Sequence, residues 1–282
     1  MAFAVLAVLR RTCASLTGAM GFIVVALVAI LAVFAPLIAM HDPDRLDVLN
    51  RFAAPSAEHW LGTDHLGRDL CSRLVHGARV AMGVAVTAIA IAMAVGTMLG
   101  ILAAYITAQA ERVVLIVFDV ISSFPSLVLA LAVVAVFGPS TLIVVVIVTV
   151  TLIPHFGRVA RAQVLALRSA PFLEAERILG ASGTRMVFSH IVPNILGPLL
   201  VLASMDIPVV ITIEAGLSFL GLGVRPPLAS WGTLIQDGYQ FLSDSWIPVL
   251  VSSAALAVAT LGFTLFGEAL RDAVDPRLYR EH

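Results

Sequence analysis

Six apolar runs, at about residues 16–39, 80–106, 113–137, 140–157, 187–215 and 246–270, limit what this chain can fold into. A helix crossing a hydrocarbon core takes about 20 apolar residues, within a range of about 17–25. Each run is of that order, so the spacing predicts six membrane-spanning helices and an all-α polytopic protein. Apolar residues make up 60% of the chain, charged residues 12%, and the mean hydropathy is +1.03. A soluble domain carries about 25% charged residues. The net charge of −1 also lacks the basic excess that a nucleic-acid partner calls for.

Every one of the 17 basic residues is arginine. A phosphate-cradling GxxxxGK[ST] loop needs its lysine, so that type of ATP site is excluded, as is Schiff-base chemistry. With the N-terminus inside, the inner segments hold eleven arginines and the outer loops six. Cytoplasmic loops carry the excess, so both termini are expected in the cytoplasm and the 40–79 loop outside. Cys13 and Cys71 then fall on opposite faces and cannot form a disulfide or a shared metal site. The first apolar run, preceded by Arg10 and Arg11, exceeds the roughly 7–15 apolar residues of a signal peptide and reads as a retained span.

Within the spans, Gly96 and Gly100 form a small-xxx-small pair that suits close helix packing. Pro193, Pro198 and Pro208 interrupt the fifth run, which predicts local bends and a pathway-lining helix. No clear internal repeat is present, which weakens a reading as an inverted-repeat transporter.

The segment PFLEAERILGASGTRMVFSHIVPN, residues 171–194, keeps a polar helical signal between two greasy runs. Ser169 is placed to cap a helix and Pro171 suits its first turn. Glu174 and Glu176 lie near the positive end of the helix dipole. Phe172, Ala175, Ile178 and Leu179 recur at helical spacing, and Gly180 suits a left-handed end. A helix of about ten residues is marginal alone and needs something to pack on. Two leading glutamates are wrong for a helix lying on headgroups, which favours a basic polar face; docking on a protein is expected.

These residues carry a resemblance. EAERILGAS…HIVPN is similar to the cytoplasmic EAA loop of ABC-importer permeases, with Glu174, Ala175, Gly180, Ile191 and Pro193 on its pattern. HWLGTDHLGRDLCSRLVHGARV (59–80), IEAGLSFLGLGVRPPLASWG (213–232), LRDAVDPRL (270–278) and, more weakly, FDVISSFPSLVLAL (118–131) resemble the C-type subunit of dipeptide/oligopeptide permeases. The resemblance runs from about residue 59 to 278 and implies the type I importer permease fold. Its divisions would be an N-terminal span with an outer loop (1–79), a permease core (80–271) with a coupling helix at about 170–183, and a cytoplasmic tail (272–282). It further implies half of a translocation pathway in the bacterial cytoplasmic membrane, paired with a homologous permease subunit, two ATPase subunits and an extracytoplasmic solute-binding protein. ATP and Mg would sit on the ATPase partners and no cofactor on this chain. Phe172, Glu174, Ala175, Glu176, Leu179 and Gly180 would couple to the ATPase. The third EAA position departs from the family, being Glu176 instead of alanine; His155-Phe156 also stands where an aromatic and a tyrosine are expected.

Other constellations carry less. GASG, residues 180–183, matches the GxSG of intramembrane proteases, but Ser182 sits in a polar stretch and the sixth span holds no histidine to act as base. His41, His59, His65 and His76 crowd the outer loop with Asp42, Asp64 and Asp69, in no recognised metal spacing. Thr63, Asp64 and Arg68, followed by Asp69, can build a capped turn with an Asp–Arg pair; this is either a rigid cover or a surface for a binding protein. Asp119, Asp206 and Glu214 fall within spans, where a central carboxylate costs about 2.5–3.5 kcal/mol unless it faces protein or water. Asp119 suits an interhelical tie, Asp206 with Pro208 the pathway, and Glu214 the outer interface. Peptide import is the leading expectation, with nickel or glutathione permeases as family alternatives. A proton-coupled secondary transporter using Asp206 or Asp119 is the rival of another class.

Overall fold

The computed structural model describes residues 8–105 and 107–274. The expected tail therefore lies largely outside the described residues, as does the end of the 270–278 stretch. Helix α1 (Leu16–Ile38) begins where the Ser15 hydroxyl accepts the Gly18 N–H at 3.1 Å. A loop over residues 39–69 leads to α2 (Leu70–Tyr105), the longest helix described. α3 (Ala108–Ser123) and α4 (Ser126–Phe137) follow, then α5 (Thr141–Leu167), capped by Ser140. α6 (Pro171–Ile178) is the short polar helix. α7 (Gly183–Met186) runs through a π-helical turn, Val187–Ile191, into α8 (Val192–Phe219). α9 (Trp231–Gln240) and α10 (Ile247–Val274) complete the order. Five helical stretches are long and apolar enough to cross a bilayer unaided, and the α3–α4 pair makes a sixth crossing only if taken together.

Two expectations need correction. The third run is not one helix: α3 and α4 meet at 85°. The proline ring of Pro125 clashes with helical backbone at Phe124, so the chain turns there although its hydrophobicity does not change. Helices also outrun their apolar windows. α2 starts at Leu70, ahead of the apolar run at 80, and α5 continues past residue 157 to Leu167. The additional turns carry Arg73, Arg158 and Arg161, each of which finds a carboxylate in another segment. The first span packs against the last. α1 packs antiparallel on α10, where a Cβ at Gly21 would stand 2.5 Å from the Phe266 nitrogen.

α2 is the central post, flanked by α5, α8, α1 and α10. Its buried stripe is small (Ala78, Ala81, Ala85, Ala88, Ala92), so neighbouring backbones come close. At Gly96 a Cβ would lie 2.6 Å from the Ile153 carbonyl, and one at Gly100 would collide with that of Gly157. The expected packing role of this pair is what the fold uses. Larger side chains such as Phe118, Phe156, Ile195 and Phe263 fill the space beyond the stripe. Outward-facing Leu37, Val136, Phe137 and Leu142 remain exposed, as lipid-facing residues do.

The ends of the bundle differ. At one face the 39–69 loop and the 220–246 segment close over each other into a cap. At the other, the N-terminal end of α1 meets the C-terminal end of α10, and Arg11, Ser15, Glu268 and Asp272 border a common cleft. α6 begins where α5 ends, at the face opposite the cap, since α5 runs parallel to α2, with Thr149 against Ala88 and Arg168 against Ala104.

Candidate functional site: a short exposed helix and a buried polar cap

α6 is held at one point. Leu173 is 0% exposed and belongs to the main core, whereas Ile178 and Leu179 are 86% and 82% exposed and Phe172 is also exposed. Sequence periodicity named Phe172, Ala175, Ile178 and Leu179 as an apolar edge without separating the anchor from the free side. The anchor is Leu173; on the edge, Ile178 and Leu179 have no cover among the described residues. The helix opens with the Ala170 carbonyl accepting from the Leu173 and Glu174 N–H groups, and the Ser169 hydroxyl makes no cap. It ends as expected. Gly180 has φ +83°, and the Ala181 N–H returns to the Glu176 carbonyl at 3.0 Å, the six-to-one closure of a left-handed helix end. Nothing stands within 4 Å of a Cβ placed at Gly180.

Glu176, the odd residue of the EAA pattern, is turned onto its own chain: its carboxylate lies 3.4 Å from the His190 ring, and His190 stacks obliquely on Phe172. Glu174 and Ala175 remain exposed. Ser182 caps α7, accepting from the Arg185 N–H at 3.3 Å beside the Thr184 hydroxyl. With no histidine among these partners, the protease-like GASG motif has no base.

At the opposite face, Thr63, Asp64, Arg68 and Asp69 are all buried. The Thr63 hydroxyl accepts from Ala53 N–H at 2.8 Å and donates to the Asn50 carbonyl. Asp64 accepts from the N–H groups of Leu66 (2.8 Å) and Arg68 (3.0 Å), and from Arg68 Nε at 2.7 Å. Arg73, 1% exposed, reaches Asp64 at 3.5 Å, Asp44 at 3.8 Å and the Pro43 carbonyl at 3.1 Å. Asp69 accepts from Ser72 N–H at 2.7 Å, capping α2, and from His59 Nδ1 at 2.9 Å. The two covering segments are joined by Arg68–Asp237 (3.4 Å) and by a His65–Phe241 ring stack at 4.7 Å, and the Trp231 indole ties the second segment to α2 by donating to the Leu74 carbonyl at 3.1 Å. Burial pushes the Asp237 carboxyl up, against the pull of His65, Arg73 and Arg68. Burial likewise pushes the His65 imidazole down, against Asp237 and Asp64. The four named side chains are spent on internal partners. The exposed side chains of this loop include apolar Leu46, Val48, Leu49 and Trp60 beside charged Asp42, Arg45, Arg51 and Glu58.

In the spans, Asp206 is buried with one oxygen 3.7 Å from His155 Nε2, and His155 itself is half exposed. Nothing in the sequence marked His155 as its partner, 51 positions away, although the unusual His155-Phe156 pair was a signal. Pro208 is buried two residues further on, its carbonyl accepting from the Thr212 hydroxyl. Glu214 is 0% exposed and accepts from the Ser218 hydroxyl at 2.8 Å; that hydroxyl also accepts the Val224 N–H. Asp119 pairs with Arg158 at 2.8 Å, tying α3 to α5, as Glu111 and Arg161 do one turn away. An apolar groove of about 700 Å³, bordered by Met93, Tyr105, Phe188 and Leu199, lies between α2 and the start of α8; neither Asp206 nor Glu214 lines it.

Comparison with known proteins matches this arrangement. Residues 96–280 match the family described as binding-protein-dependent transport system inner membrane component, and residues 7–55 match the N-terminal transmembrane domain of oligopeptide transport permease C. The chain is 37% identical to the dipeptide transport system permease protein DppC of Alkalihalophilus pseudofirmus, over 92% of this chain and 85% of that protein. It is 34% identical to the nickel transport system permease protein NikC of Escherichia coli, over 93% and 95% respectively. A chain of the MetNI methionine ABC transporter in an inward-facing crystal form superposes with a TM-score of 0.58 at 18% identity, over 73% of this chain and 98% of that one, a likeness of fold. With five or six helical crossings among the described residues, its type I importer fold and these matches across nearly its whole length, the chain belongs to the family of binding-protein-dependent transport system inner membrane components.

Proposed function

We propose that this chain is the permease subunit of an ATP-driven importer that moves dipeptides or oligopeptides across the cytoplasmic membrane. It forms half of the pathway with a homologous permease subunit, receives cargo from an extracytoplasmic solute-binding protein, and is driven by two ATPase subunits that hold the ATP and Mg. The chain performs no hydrolysis itself. Peptide cargo is favoured by the oligopeptide-permease match at its N-terminal end and by the dipeptide relative; the nickel relative keeps that cargo as the alternative. The arginine asymmetry puts both termini and α6 in the cytoplasm and the cap outside.

One observation carries the mechanism: α6 is anchored through Leu173 and leaves Ile178 and Leu179 bare among the described residues, with Phe172 partly exposed beside them. Exposed apolar side chains on a helix this short are stabilised when a partner's groove covers them. ATP binding draws the ATPase subunits together, and α6 carries that rigid-body motion through Leu173 into the core and through the Gly183–Phe219 stretch into α8. A stiff element is required for such transfer, and the closed helix end at Gly180 supplies one. Glu176, held by His190, stays out of the docking groove. Asp206 with His155, at the edge of the bundle, faces the position of the second permease half and lines the pathway between them. Pro208 and Glu214 sit behind that lining.

The test is Gly180→Trp in the co-expressed assembly. A side chain at φ +83° strains the helix end and adds bulk to the docking side. The variant is expected to insert into the membrane at normal levels and lose the ATPase subunit on purification. Normal co-purification would contradict the proposal.

A further inference from the structure

The folded outer loop brings together three side chains that its sequence keeps apart. His41 follows α1 directly, whereas Glu58 and His59 lie in the middle of the 39–69 loop. A ligand-capable atom from each of the three lies within 4.8 Å of the others. The rings of His41 and His59 are 4.8 Å apart between centroids, inclined by 37°. We propose that His41, Glu58 and His59 form a site for a divalent transition-metal ion such as zinc, which fastens the outer loop to the start of α2.

The chemistry of the donors fits. Two imidazoles and one carboxylate are a set that zinc accepts, with a fourth position left to water. His59 is already oriented: its Nδ1 donates to Asp69 Oδ1 at 2.9 Å, which leaves the Nε2 lone pair facing away from the protein's own partner. A carboxylate behind a ligating imidazole is the usual outer-shell support, fixing tautomer and ring direction. His41 is fixed at its backbone, where its N–H donates to the Ser72 hydroxyl at 3.1 Å; its buried Nδ1 makes no hydrogen bond among the described residues, with Asp69 Oδ2 4.0 Å away. A buried nitrogen left without a partner costs free energy unless something is bound there. Asp42, Asp47 and Asp69 line the same cleft against one cation, Arg45, so its field attracts a dication.

Zinc–ligand bonds of about 2.0–2.1 Å place tetrahedral donors about 3.3 Å apart. Closing from the observed spread asks for a movement of an ångström or so. Glu58 is exposed and free to supply it. Because Asp69 both supports His59 and caps α2, a bound ion would join the beginning of the loop, its middle and the first turn of α2. The site lies in the cap and away from Asp206 and the pathway, so it needs no assumption about the transported cargo. It also supplies this chain with a bound metal, which neither the sequence spacing nor the family resemblance implied.

The experiment uses the full chain in its assembly, purified without a polyhistidine tag, stripped with chelator, and titrated with zinc chloride against a competing indicator dye. One zinc per chain is expected, with a higher thermal unfolding midpoint in its presence. His41→Ala and His59→Ala should abolish the stoichiometric binding. Glu58→Gln alters an exposed side chain and leaves the apolar core of the fold untouched; it should keep the size-exclusion profile and weaken zinc at least tenfold. No stoichiometric zinc on the wild-type protein would overturn the proposal. So would zinc bound by a normally folded Glu58→Gln or His59→Ala variant as tightly as by the wild type.

Discussion

The two faces of the molecule handle polar residues in opposite ways. In the cap, Asp64, Arg68, Asp69 and Arg73 are buried and matched to partners within the chain, so the surface presented outward is set by their neighbours. On the opposite face, α6 keeps its charges near the surface and leaves apolar Ile178 and Leu179 bare. The cap's buried charges are matched among the described residues; the short helix leaves an apolar edge uncovered there, which the proposed function assigns to a partner. Buried charges that neutralise each other fix a shape, whereas an anchored helix with a free apolar edge transmits a force only when something grips it. The proposed function, a permease driven by separate ATPase subunits, calls for both.

Substitutions can break this contrast, the largest effect being expected in the cap. Asp64→Ala leaves Arg68 and Arg73 buried without their shared counter-charge, and breaking such a pair costs about 3–5 kcal/mol. The expected outcome is a steep fall in the thermal midpoint and in the yield of monodisperse protein. An unchanged midpoint would show that the cap does not depend on its ion pairs.

A smaller effect is expected with pH. The folded His65 imidazole titrates below its ordinary value because it is partly buried, so the unfolded chain takes up that proton first. Its contribution to stability is present above the ordinary histidine range and is lost as pH falls through the lowered folded value. Asp237, pushed up by burial, works in the other direction: its contribution is present below the ordinary carboxylate range and is lost as pH rises through its folded value. His65→Phe keeps the ring stack on Phe241 and removes the proton, so it should flatten the loss of thermal midpoint between neutral and mildly acidic pH. A slope identical to the wild type's would show that His65 is not its source.

The smallest effect on stability belongs to α6. Ile178→Ser with Leu179→Ser changes exposed side chains and should shift the free energy of unfolding by no more than about 0.5 kcal/mol. The same double variant should nevertheless lose ATPase subunits from the purified assembly. Loss of folded protein would instead place these side chains in the core.

How far these regions could be read from sequence follows from the range of the interactions. The spans were legible because hydrophobicity accumulates locally over about 20 residues. The end of α6 was legible because a left-handed turn has a short-range preference for glycine, met by Gly180. The break at Phe124-Pro125 had a local signal too, but it fell inside an unbroken apolar run that suggested one helix. Helix starts were misjudged where polar residues such as Arg73 are neutralised from another segment. The same limit hid the Glu176–His190 contact, the His155–Asp206 pair and the meeting of His41 with His59, none of which has a periodic signature. Leu173 was missed because helical spacing gives an apolar edge without saying which side of it faces the protein.

Peptide uptake into sealed liposomes tests the division of labour most directly, with this chain reconstituted either alone or with its second permease, ATPase and solute-binding partners. Alone it should accumulate no labelled dipeptide, with or without an imposed proton gradient; the full assembly should do so only when ATP reaches the ATPase side. Uptake by the single chain driven by a proton gradient would contradict the lever mechanism and make Asp206 a proton carrier.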